Sequence, residues 1–72
     1  MEVISTTDVS RYGNDCYIEE SYSLVEQFGL YAVIRFYKVS GWSSTEEVEV
    51  VFSSQSGSEA RKIYKNYYKH NM

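Results

Sequence analysis

The chain contains no proline, one cysteine, one histidine and four glycines, and no apolar run approaches the ~18 residues of a membrane span. Each shortage excludes something. Cys16 alone cannot form a disulfide within the chain, and one unpaired thiol suits a reducing compartment. With His70 as the only histidine, a Cys/His metal site lacks ligands, so no metal or cofactor is expected. The glycines (Gly13, Gly29, Gly41 and Gly57) are spaced singly, which suits turns and leaves no phosphate-cradling loop. There is no repeat, linker or low-complexity tract, so residues 1–72 read as one domain. Met1 is followed by Glu2 without a secretory apolar segment, which predicts a cytoplasmic protein.

A chain this short buries only about 60% of the surface exposed when unfolded, and small scaffolds usually add a staple or a partner. Without disulfide or metal, a dense core or self-association has to serve. Tyrosine is abundant, at eight residues beside three phenylalanines and one tryptophan. These side chains can build a core, and tyrosine also works half exposed at binding surfaces.

The net charge of −3 is unevenly spread. Residues 1–55 hold nine acids against Arg11, Arg35 and Lys38, whereas residues 56–72 hold Glu59 against Arg61, Lys62, Lys65 and Lys69. The result is an acidic body with a basic terminal segment.

Periodicity near two runs to about residue 53 and then changes to 3.6. Residues 2–12 favour an extended chain, and Gly13-Asn14 suggests a two-residue hairpin loop. Over 16–25, Ile18, Tyr22 and Leu24 alternate with Glu19, Ser21 and Ser23, with Glu20 discordant and assigned to a rim or bulge. Leu30–Val39 is apolar on both faces and reads as a central strand. After the loop 40–44, residues 46–53 form a fourth strand, with Val48, Val50 and Phe52 opposite Glu47, Glu49 and Val51.

Ser56 and Glu59 have capping-box spacing. Ala60, Ile63, Tyr64, Tyr67 and Tyr68 then form one apolar stripe, predicting an amphipathic helix over about 57–70. The fold class expected is α+β: a small antiparallel β-meander of about four strands with the C-terminal helix on one face.

One such helix covers only one face of the sheet. The face of Ala32, Ile34 and Phe36, joined by Ile18, Leu24, Val48, Val50 and Phe52, is expected beneath it, with small Ala32 admitting the helix backbone. That leaves Tyr31, Val33, Arg35, Tyr37 and Val39 open, bordered by Tyr17, Val25 and Val51, with Glu19, Glu47 and Glu49 beside Arg35. Such a patch has the composition of an interface core. Tyr17, Tyr31, Val33, Arg35, Tyr37, Trp42, Glu47 and Glu49 are therefore the candidate protein-binding residues. Alternatively, residues 2–12 or the 40–45 loop fold back over this face.

Catalysis finds little support. Cys16 has Asp15 beside it but no base nearby, and Glu19-Glu20 and Glu46-Glu47 split between opposite strand faces. No enzyme is expected. The acidic sheet side argues against nucleic-acid binding, although sheet aromatics could stack bases. Clustered carboxylates could instead imitate a phosphate backbone at low density.

The stretches EESYSLVE, YAVIRFYKV and SEARKIYKNYYK, within Tyr17–His70, resemble those of short proteins from Gram-positive bacteria and their phages. That resemblance carries no common activity but implies a small regulatory or inhibitory protein, including blockers of host-defence enzymes. The expectation is a non-enzymatic module that binds a second copy of itself or another protein. The alternative is an inhibitor of a nuclease or host-defence factor, using the tyrosine face or the acidic edge.

Overall fold

Two-residue loops determine how this sheet is put together. The computed structural model describes residues 1–70, with only the backbone of His70, so the expected remoteness of the His70 side chain from Cys16 lies outside the described residues. The order of elements is β1 (Glu2–Asp8), β2 (Arg11–Gly13), β3 (Cys16–Gln27), β4 (Leu30–Ser40), β5 (Thr45–Ser54) and α1 (Gly57–His70). All strand pairings are antiparallel, in the order β1-β3-β4-β5, and β2 pairs with the end of β3 that β1 leaves free. Thus β1 and β2 form one interrupted edge strand, and the sheet is a four-row meander with one C-terminal helix on one face.

The first loop is Asn14-Asp15, one residue later than Gly13-Asn14, because Gly13 pairs with Cys16 and Asp15 takes a left-handed φ of 59°. The second is Phe28-Gly29, closing Gln27 against Leu30 with φ of 52° and 80°. Positive φ at both Phe28 and Gly29 is what a two-residue type I′ hairpin turn, matched to strand twist, requires.

This second loop fixes which side chains share a face. Pairing Gln27 with Leu30 sets even residues of β3 against odd residues of β4: Leu24 opposite Val33, Tyr22 opposite Arg35 and Glu20 opposite Tyr37. Leu24 and Ile18 therefore do not join Ile34 and Phe36, as their shared hydrophobicity had suggested. A bulge at Val51 transfers Phe52 to the face of Val33, while Val48 and Val50 stay with Phe36 and Ile34.

The helix packs on the Tyr31 and Val33 side, the reverse of the sequence expectation. The core joins Val9, Tyr22, Leu24 and Val33 to Ala60 and Tyr64, with Tyr31, Val51, Phe52, Ile63, Tyr67 and Tyr68 packed against it. The tyrosine stripe of α1 supplies the physical reason. A half-buried phenol needs a polar partner. Ser5 Oγ and Thr7 Oγ1 lie 3.2 and 2.5 Å from the Tyr64 hydroxyl, and Tyr67 donates to the Val51 carbonyl at 3.4 Å. Tyr67 also stacks on Tyr22 at 5.7 Å between centroids. The centre of the opposite face, at Ile34, Phe36, Val48 and Val50, carries no side-chain hydroxyl.

Close approach comes from the helix side rather than from Ala32. Ala60 is fully buried, and a Cβ on Gly57 would sit 3.0 Å from the Tyr31 ring. The N-terminus of α1 is capped through a relay. Ser56 Oγ accepts from the Glu59 amide at 3.3 Å, as a capping box requires. Glu59 does not reach back to the Ser56 amide, which donates to Ser54 Oγ at 3.0 Å; Ser54 Oγ in turn donates to Glu59 at 3.3 Å.

Candidate functional site

Fourteen helical residues extend about 21 Å, whereas the molecule is 41 Å long. The helix therefore covers roughly half of its sheet face. The other half is held by an ionic cluster, and among the described residues no element packs on the reverse face.

Glu20 lies at the centre of that cluster and is 2% exposed. Its carboxylate accepts from Arg11 Nη1 at 2.7 Å, Arg35 Nε at 2.8 Å and the Tyr22 hydroxyl at 3.3 Å. Burial alone would push this carboxyl up, but hydrogen bonds from Arg11 and Arg35 and their two charges outweigh it and hold it below its usual value. Burial raises Tyr22, helped by the adjacent Glu20 charge. Burial also opposes the Arg35 charge, yet Glu20 holds that guanidinium above its usual value. Arg35 rests 4.5 Å over the Tyr37 ring and reaches Glu49 at 3.4 Å. The sequence marked Glu20 as discordant, and that discordance was its signal. It sits among apolar neighbours because two arginines on its own face neutralise it.

The eight expected binding residues separate. Val33 is fully buried beneath the helix and Tyr31 is half-buried against Gly57, so neither belongs to an open surface. Arg35 and Tyr37 belong to the ionic cluster. Glu47 and Glu49 are exposed on β5, and Trp42 is wholly exposed in the loop before it. Tyr17 alone lies on the uncovered face, its ring 4.8 Å from that of Tyr12 and tilted 53° to it. Glu19, expected beside Arg35, and Val25, expected at the border of the patch, are also on the uncovered face.

That uncovered face is the one the sequence assigned to the core. Its cross-strand rows run Val3, Val25, Ala32 and Ser53; then Thr6, Ser23, Ile34 and Val50; then Asp8, Ser21, Phe36 and Val48. The next row is Glu19, Lys38 and Glu46. An aliphatic and aromatic stripe over β4 and β5 is thus flanked by hydroxyls over β3 and by a row of mixed charge. Val48 and Val50 are each 63% exposed. Parity across the Phe28-Gly29 loop is the sequence signal that would have identified this face.

Among the described residues, no group of three or more His, Cys, Asp or Glu could hold a metal ion, and no helix is long and apolar enough to cross a membrane. No protein family, curated protein or solved structure matches the chain.

Proposed function

We propose that this protein is a non-enzymatic interaction module that acts by stoichiometric binding through its open sheet face, with a second copy as the occupant. The apolar stripe of Ile34, Phe36, Val48 and Val50 supports it, because the helix is committed to the opposite side. A contiguous apolar patch with a polar rim is the composition of an interface. Lys38 between Glu19 and Glu46 gives the rim both signs, so it selects no singly charged partner. An isologous pair needs only a self-complementary patch. A second copy also supplies the extra buried surface that so small a chain lacks.

Light scattering over a tenfold concentration range tests the proposal. The expected result is a dimer that becomes a monomer when Val48→Asp and Val50→Asp are combined. Both side chains are exposed on a lone chain, so the variant should still fold. A monomer at every concentration would remove self-association from consideration.

A further inference from the structure

We propose that the outer edge of β5 receives an extended segment of another polypeptide, basic at two alternate positions and apolar at the next position on that face. This surface is separate from the open sheet face and does not rest on self-association there.

Among the described residues β5 pairs only with β4, so its other side presents unpaired backbone donors and acceptors. Its register is unbroken from Thr45, opposite Val39, to Val50, opposite Ile34. The opposite edge of the sheet is not like this. There a register shift falls between Val3 and Ser5, the strand breaks after Asp8, and β2 has three residues. The longer unbroken run is along β5, six residues from Thr45 to Val50, ending at the bulge at Val51.

Charge decides whose strand it can be. The run contains Glu46, Glu47 and Glu49 and neither lysine nor proline, the residues that commonly blunt an edge. Pairing with a second β5 would bring carboxylates together, which is unfavourable across strands. The chain has no free basic strand to offer either. Arg11 and Arg35 are bound to Glu20, and every base except these and Lys38 lies in α1. The complementary segment therefore comes from another polypeptide. Among the described residues Glu47 has no ion-pair partner, and Glu49 holds Arg35 only at 3.4 Å with a side chain 56% exposed.

The third position is set by a groove. Phe52, Ile63, Asn66 and Tyr67 line a space of about 260 Å³ between β5 and α1. Glu47, Glu49 and Phe52 stand opposite Tyr37, Arg35 and Val33, the bulge at Val51 bringing Phe52 onto the face of the two carboxylates, so the carboxylates and the groove lie along one face. The space is smaller than a drug-sized site and suits one or two side chains. Backbone pairing would supply affinity, and the alternate side chains would supply selection.

The probe is acetyl-Thr-Lys-Thr-Lys-Thr-Leu-Thr-amide, titrated to millimolar concentration against the isotope-labelled protein. Amide shifts should be confined to Thr45–Phe52 and the adjoining turn of α1. Replacing the peptide leucine by serine should weaken binding about tenfold, as loss of one buried aliphatic side chain implies. Combining Glu47→Lys with Glu49→Lys should weaken it about tenfold at low salt and less at high salt. N-methylation of one alternate set of peptide amides should abolish binding, while methylation of the other set is tolerated. Absence of shifts along β5, or equal effects from the two N-methylated sets, would overturn the proposal. So would concentration-dependent β5 shifts in the Val48→Asp, Val50→Asp variant alone, in which the open face no longer pairs, because a second copy would then occupy the edge.

Discussion

Glu20 accepts a hydrogen bond from Arg35 Nε at 2.8 Å, with Arg11 holding its other oxygen at 2.7 Å. The two arginines are not equivalent, because their side chains are 23% and 44% exposed. Water can replace the contact of Arg11 more readily than that of Arg35. Hydrogen bonds to charged groups contribute ~1.5–3 kcal/mol, and exposed ion pairs ~0–1 kcal/mol. Glu20→Gln and Arg35→Met should each destabilise by about 2 kcal/mol in urea denaturation, and Arg11→Met by less than about 1 kcal/mol. Equal losses from the two arginine variants would contradict this ranking.

The same cluster sets a pH dependence with opposite signs at its two ends. Glu20 has a folded pKa below its ordinary 4.5, so its contribution is present above that value and is lost as pH falls through the folded value. Asp8 shifts in the same direction through hydrogen bonds from Ser10 and shares the window. Tyr22 is raised above its ordinary 10.0, so its contribution is present below pH 10 and is lost as pH rises further. Urea midpoints measured from pH 3 to 11 should form a plateau that falls at both ends. Glu20→Gln should flatten the acid side and Tyr22→Phe the alkaline side. An unchanged acid slope in Glu20→Gln would assign that limb to other carboxylates.

Much of the fold was legible because local periodicity reports which residues alternate. The stripe of α1, the alternation of β3 and β4, and the change of period after residue 53 all appear in the structure. Periodicity does not report which face of one strand continues which face of the next. Matching Leu24 with Ile34 and Phe36 by chemical likeness reversed the sheet, whereas the length of the Phe28-Gly29 loop sets that match. The bulge at Val51 then divided a strand whose alternation looked unbroken. Which side the helix takes was hidden for another reason. Both faces offer apolar area, and the face under α1 supplies hydrogen-bond partners for Tyr64 and Tyr67 from β1 and β5. Consequently Tyr31 and Val33, candidate binding residues by composition, lie under α1.

Substitutions on the two faces should separate sharply. Val33 is fully buried beneath α1, so Val33→Ala loses transfer free energy and leaves a cavity, costing about 2 kcal/mol. Val50 is 63% exposed, and Val50→Ser should change the stability of a monomer by less than about 0.5 kcal/mol. If a second copy covers the open face, the Val50→Ser effect grows with protein concentration while that of Val33→Ala does not. Thermal melts of both variants at two concentrations provide the comparison. A large, concentration-independent loss from Val50→Ser would mean that the open face is core.

Phe28 is unfavourable on two local counts. Its φ is 52°, a left-handed conformation that bulky L-residues seldom adopt, and its side chain is 96% exposed. Neither count applies to asparagine, which tolerates this conformation and precedes glycine in the strongest short hairpin signal. With Gly29 already at φ 80°, Phe28→Asn supplies both residues the turn prefers. The substitution should stabilise the isolated chain by about 1 kcal/mol, the scale of the left-handed penalty removed. It should also strengthen the register that places Leu24 against Val33, because this loop fixes it. Urea denaturation at low protein concentration measures the gain. Amide exchange at Val25 and Ala32, paired beside the loop, should slow in parallel. A loss of stability instead would show that the Phe28 ring contributes more through contacts in the folded state than its backbone strain removes.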